Sequence, residues 1–143
     1  MSSDNFTVQV GNLTNDPELR FTNNGTAVAN FGLAVTSRVK DGDSWRDGET
    51  HFFRVNVWRD QAENVAESLG KGHRAVVLGR LRTRTWETPE GDKRTVTEID
   101  ADEVGASLKF HTAKLERATH RGSGERSAGR EAERGQFNDE PPF

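Results

Sequence analysis

The stretch Gly79-Arg80-Leu81-Arg82-Thr83-Arg84-Thr85-Trp86 sets a cationic residue at every second position and closes the row with an indole. Side chains alternate faces along a strand, so Arg80, Arg82, Arg84 and Trp86 share one side. Three guanidiniums in a row repel one another in an apolar interior, so this face must meet water or a polyanion. Two readings stand at this point. One is a solvated edge strand with spare arginines. The other is a surface that grips an exposed nucleic-acid strand, with cations for the phosphates and a ring for the bases.

Working outward, Arg74 to Leu78 begins the same strand, and its Val76, Val77 and Leu78 read as buried. A charged hairpin loop (Glu87 to Lys93) leads to a further strand, Arg94 to Val104. Upstream, Phe6 to Asn12 alternates as a first strand, and Glu18 to Thr22 is a short extended piece. After the turn Asn23-Asn24-Gly25, Thr26 to Val39 forms a second strand. The polar run Lys40 to Glu49 reads as a long flexible connection carrying an exposed aromatic, Trp45.

Thr50 to Arg59 is the third strand, with His51, Phe53, Val55 and Val57 toward the core and Phe52, Arg54, Asn56 and Trp58 on the other face. The only helix runs from Asp60 to Leu69, with Asp60 as N-cap, Glu63 as its capping-box partner, and Gly70 and Gly72 beyond its end. Leu108 to Leu115 could add a sixth extended piece. The order of elements is that of an all-β OB-fold: a five-stranded Greek-key barrel with one helix between the third and fourth strands. From about Glu116 the aliphatic residues other than Ala stop. The chain thus divides into a folded domain (1–115) and a disordered Gly/Arg/Glu-rich linker (116–143) ending in an acidic, proline-stiffened, aromatic tip.

Composition removes several function classes. With no cysteine there is no disulfide, thiolate metal site or cysteine nucleophile. The polar N-terminus lacks a secretory signal, and no apolar run nears the ~20 residues of a membrane helix, so a soluble cytoplasmic protein is expected. There is no phosphate-cradling glycine loop, the four histidines are scattered, and nothing calls for a cofactor or metal. Glu98, Asp100 and Asp102 line one strand face, either as a metal-dependent nuclease site or as a solvated acidic face balancing the arginines. The net charge of −3 denies a simple polycation, so nucleic-acid binding requires charge sorted by face. Arg54, Arg80, Arg82 and Arg84 then contact phosphates, and Phe52, Trp58, Trp86 and Trp45 offer stacking platforms. Each stacked base is worth ~1–3 kcal/mol, enough for stacking to dominate the affinity of a net-negative protein. An OB-fold RNA binder of cold-shock type would use the same face.

Several spaced blocks resemble the bacterial single-stranded DNA-binding family over roughly residues 5–112. They are Val10-Gly11-Asn12-Leu13, Asp16-Pro17-Glu18-Leu19-Arg20-Phe21, Gly25 with Ala27-Val28-Ala29-Asn30-Phe31, Ala62-Glu63 with Val65-Ala66, Lys71-Gly72, and Gly79 to Arg84. Phe52, Arg54 to Arg59 and the Leu108 to Ala113 region resemble the actinobacterial branch. The resemblance implies a non-enzymatic homotetramer that wraps single-stranded DNA in replication, recombination and repair, in the nucleoid. It places Phe52 where many members have Trp, Trp58 where many have Phe, and Trp86 on a matching Trp. At the first stacking Trp of the family this chain has Val39, a lost platform that Trp45 replaces weakly. Asp139, Glu140, Pro141, Pro142 and Phe143 resemble the acidic tip through which the family docks replication and repair proteins, with two acidic side chains only.

Overall fold

The computed structural model describes residues 5–119. Six strands and one helix follow in the order β1 (Phe6–Leu13), β2 (Glu18–Phe21), β3 (Ala27–Asp41), β4 (Ser44–Trp58), α1 (Arg59–Ser68), β5 (Arg74–Glu87) and β6 (Lys93–Ala106). The sheet runs β1-β5-β6-β4-β3-β2, and β1 returns to β3 through Asn12↔Ala34 and Leu13↔Leu33. That return closes five strands into a barrel of OB type and leaves β2 hydrogen-bonded to β3 outside the ring. Most neighbours are antiparallel; β4 and β6 pair in parallel.

Odd-numbered residues of the central strands fill the barrel. Phe31, Leu33, Val55, Val57, Val77 and Ile99 are buried to 2% exposure or less, and Ala62 and Val65 of α1 pack into the same cluster. Even-numbered residues of the same strands face outward, and the candidate site residues of β4 and β5 sit among them.

The structure corrects six expectations. Leu78, expected to be buried, lies on the outward even-numbered face of β5 and is exposed, and His51, expected toward the core, is exposed where its strand runs out beyond the barrel. The Glu18–Thr22 piece is a true strand, β2, making the total six. Lys40 to Glu49 is not a flexible connection: β3 and β4 continue as a hairpin to a two-residue turn, Gly42-Asp43, with Gly42 at φ 67°. A Gly beside an Asp at the apex is the chemistry such tight turns need, and the polar arms hid the strands. Asp60 is not the N-cap. Trp58 holds that position with no side-chain cap hydrogen bond, and Asp60 lies in the first helical turn, where a carboxylate still complements the helix dipole. Leu108 to Leu115 forms no strand within the described chain, and Leu108, Phe110 and Leu115 are exposed.

By contact the chain divides into Met1–Ala113 and Lys114–Phe143. Of the second unit the described part is 114–119, which forms no helix or strand. The expected tip, Asp139 to Phe143, lies outside the described residues.

Candidate nucleic-acid interface

The outward face across β3, β4, β6 and β5 is assembled by register. Gly32 pairs with Arg54 and Asn30 with Asn56; Arg54 is level with Glu98 and Asn56 with Asp100; Glu98 faces Arg82 and Asp100 faces Arg80. Phe52, Arg54, Asn56 and Trp58 of β4 therefore share one surface with Arg80, Arg82, Arg84 and Trp86 of β5, across β6. Phe52 is 66% exposed and Trp86 51%, so both rings present a face to solvent. Trp58 is less open because α1 begins beside it, where Arg59 takes φ 65° and turns the chain off the strand.

Two bulges decide which other residues join this face. Between Thr36 and Arg38, β3 advances two residues while β4 retreats three, from Thr50 to Asp47. The extra β4 residue flips the alternation, so Trp45, opposite Lys40, lies on the same face as Phe52. It stands six register positions up the hairpin, from Ala34 to Lys40 on the partner strand, roughly 20 Å away at ~3.3 Å per residue. Trp45 is thus an outlying exposed ring on an extended arm. In β6 the extra residue is Asp102: Glu103 faces Leu78, and Ala101 faces Gly79. Glu98 and Asp100 stay beside the arginine row, but Asp102 drops out of line, and its carbonyl accepts a hydrogen bond from Gln61. The three-carboxylate row of the nuclease reading does not form.

The two remaining carboxylates are already engaged. Arg82 Nε meets Asp100 Oδ2 at 2.9 Å, and Arg84 Nη1 meets Glu98 Oε2 at 3.3 Å. Glu98 is 2% exposed, a buried anion that needs its partners. One of them is Asn56, whose Nδ2 donates to Glu98 Oε1 at 2.8 Å and to Asp100 Oδ1 at 3.2 Å. Asn56 Oδ1 accepts from Asn30 Nδ2 at 2.5 Å, and Asn30 Oδ1 accepts from Arg20 Nη2 at 2.6 Å. A polar chain therefore crosses β2, β3, β4, β6 and β5 just under the exposed rings. Its sense is forced. The carboxylates demand the Asn56 amide hydrogens, so Asn56 offers its oxygen to Asn30, which offers its own to Arg20. In the sequence Arg20 and Asn30 have no place in the site beyond the family blocks that contain them; the available signal is an asparagine inside the apolar run Ala27 to Val35.

The four predicted arginines thus differ. Arg82 and Arg84 are each fixed by one carboxylate and keep further N–H donors for a ligand, since a guanidinium carries five. Arg80 pairs with no carboxylate among the described residues and lies over the Phe6 ring, 5.7 Å from its centroid. Arg54 makes no side-chain hydrogen bond or ion pair among the described residues. It lines a cavity of about 360 Å³ with Phe52, Glu18, Asn15, Asn30 and Phe53. Asn15 pins the β1–β2 loop to β3 there: its Oδ1 accepts from the Gly32 amide at 2.9 Å and from Thr14 Oγ1 at 3.0 Å.

A closed OB barrel with exposed rings and arginines on one outer face has the architecture of an oligonucleotide-binding module. Residues 4–107 match the sequence model of the single-strand binding protein family. The single-stranded DNA-binding protein of Mycolicibacterium smegmatis is 55% identical over 124 residues, covering 85% of this chain and 75% of that protein. That of Mycobacterium tuberculosis H37Rv is 53% identical over 133 residues, covering 90% and 81%. A crystal structure of the small single-stranded DNA-binding protein from Streptomyces coelicolor superposes with a TM-score of 0.69 at 39% identity, covering 75% of this chain and 97% of that one. The chain belongs to the single-strand binding protein family.

Proposed function

We propose that this protein binds single-stranded DNA without strong regard to sequence, serves replication, recombination and repair, and catalyses no reaction. The observation that carries the reading is the shared outer face of β4 and β5. Phe52, Trp58 and Trp86 stack on bases there, with Trp45 extending the path along the hairpin, while Arg54, Arg80, Arg82 and Arg84 hold phosphates. Family membership supports the same reading. Stacking uses the π-face common to all bases, which gives sequence tolerance. The charge objection is met locally: Arg54, Arg80, Arg82 and Arg84 share this face with two carboxylates, Glu98 and Asp100, so cations outnumber anions among them.

The proposal includes assembly as a homotetramer, with residues 1–115 as the DNA-binding domain. An apolar outer patch supports self-association: Phe6 and Val8 of β1 and Leu78 of β5 are exposed side by side. It also includes a 116–143 linker whose tip, Asp139 to Phe143, recruits replication and repair proteins in the cytoplasm at the nucleoid. Competition separates DNA from RNA as the ligand. Unlabelled oligo-dT should displace a labelled oligo-dT far better than RNA of matched length, and equal displacement would move the protein to the RNA-binding class.

A further inference from the structure

We propose that the cavity beside Phe52 is a base-reading subsite that selects guanine within the bound strand. The inference rests on the single-strand reading above and adds a local preference to a tolerant surface. Glu18 of β2 and Arg54 of β4 both line this cavity, yet they do not pair with each other or with any other described side chain. Two charges of opposite sign therefore stand unengaged around one concave site, with the exposed Phe52 ring as its wall. Its volume of about 360 Å³ falls in the range typical of small-ligand pockets.

A carboxylate is an acceptor only, and a guanidinium a donor only. The planar ligand that answers both offers two donors on one edge and two acceptors on another. Among the four DNA bases, guanine alone does so. Its N1–H and N2–H₂ meet the two oxygens of Glu18, and its O6 and N7 meet two of the five N–H donors of Arg54, which leaves the others for a phosphate. Adenine and cytosine set one amino group beside an acceptor ring nitrogen, which a carboxylate repels. Thymine has one N–H between two carbonyls. The asparagines do not blur this choice. Asn30 is bound on both sides by Arg20 and Asn56, and Asn15 is held by Gly32, Thr14 and the Asp16 carbonyl.

The test measures the affinity of the full chain for oligo-dT carrying one central dG, dA, dC or deoxyinosine, against oligo-dT alone. A single dG avoids strand self-association, and the strand can slide to seat it. The dG oligomer should bind about tenfold tighter than oligo-dT, in keeping with one good bidentate contact. Deoxyinosine, which keeps N1–H, O6 and N7 but lacks the N2 amino group, should lose part of that gain. In Glu18→Gln the ratio of dG to dT affinity should fall close to one, and because it is a ratio within one protein it is insensitive to any change in overall affinity. Equal affinity for all five oligomers overturns the subsite while leaving single-strand binding intact. A dG preference that survives both deoxyinosine and Glu18→Gln overturns the role of Glu18. Failure to bind any of them overturns the underlying function instead.

Discussion

At the scale of single residues, the least forgiving positions are polar ones. Asn56 holds together two carboxylates and a second asparagine while nearly buried. Asn56→Leu strands the Asn30 amide and removes a donor from Glu98, and each buried group left unsatisfied costs about 1–3 kcal/mol. Urea unfolding should show a loss of at least about 2 kcal/mol, larger than an average surface substitution gives. Gly79 is constrained for a different reason. It sits at the β5–β6 bulge, and a Cβ there would run into the Asp100 carbonyl oxygen and the Ala101 backbone. Gly79→Ala should therefore lower the melting temperature and shift the arginine row that begins one residue later. Unchanged melting in the Gly79→Ala variant would show that the two strands can part without cost.

At the scale of elements, much of the barrel was legible because period-two alternation survives wherever one face is buried. Alternation places Phe53, Val55 and Val57 on the core face of their strand, failing only at the exposed His51, and puts Arg80, Arg82, Arg84 and Trp86 on one side of theirs. The hairpin arms of β3 and β4 were not legible. Both of their faces meet solvent, so no apolar alternation marks them as strands. The bulges were hard to read for a related reason: in the polar arm of β4 there is no apolar alternation to break, and in β6 the switch of core-facing parity from Ile99 and Ala101 to Val104 rests on one residue. That is why Trp45 looked like a loop residue and Asp102 like a member of an acidic row. The candidate site was legible in its rings and cations, but the buried chain from Arg20 to Asp100 was not, since each link comes from a different strand. The arginines also separate by salt dependence. Binding to single strands weakens by about 0.7 log units per log of salt for each phosphate neutralised. Arg80→Ala, which releases no carboxylate, should lower that slope by about 0.7, as read from oligo-dT titrations between low and moderate salt. An unchanged slope would remove Arg80 from the phosphate contacts.

At the scale of the whole molecule, a net-negative chain holds a local cationic face, so stacking has to supply much of the binding free energy. The proposal gives two surfaces different duties: DNA binding to the ringed face of β4 and β5, and self-association to the exposed apolar patch of Phe6, Val8 and Leu78. Val8→Glu should reduce the subunit count in light scattering while leaving the barrel folded by circular dichroism. A tetramer that persists would locate the subunit contacts elsewhere. The central claim is tested most directly by tryptophan fluorescence during titration with oligo-dT, in the intact protein and in Trp58→Ala and Trp86→Ala. The intact protein should be strongly quenched at saturation. Each variant should lose part of the quench and bind roughly 5- to 150-fold more weakly, as expected for one stacked base. Unquenched fluorescence in the intact protein, with unchanged affinity in both variants, would contradict the account.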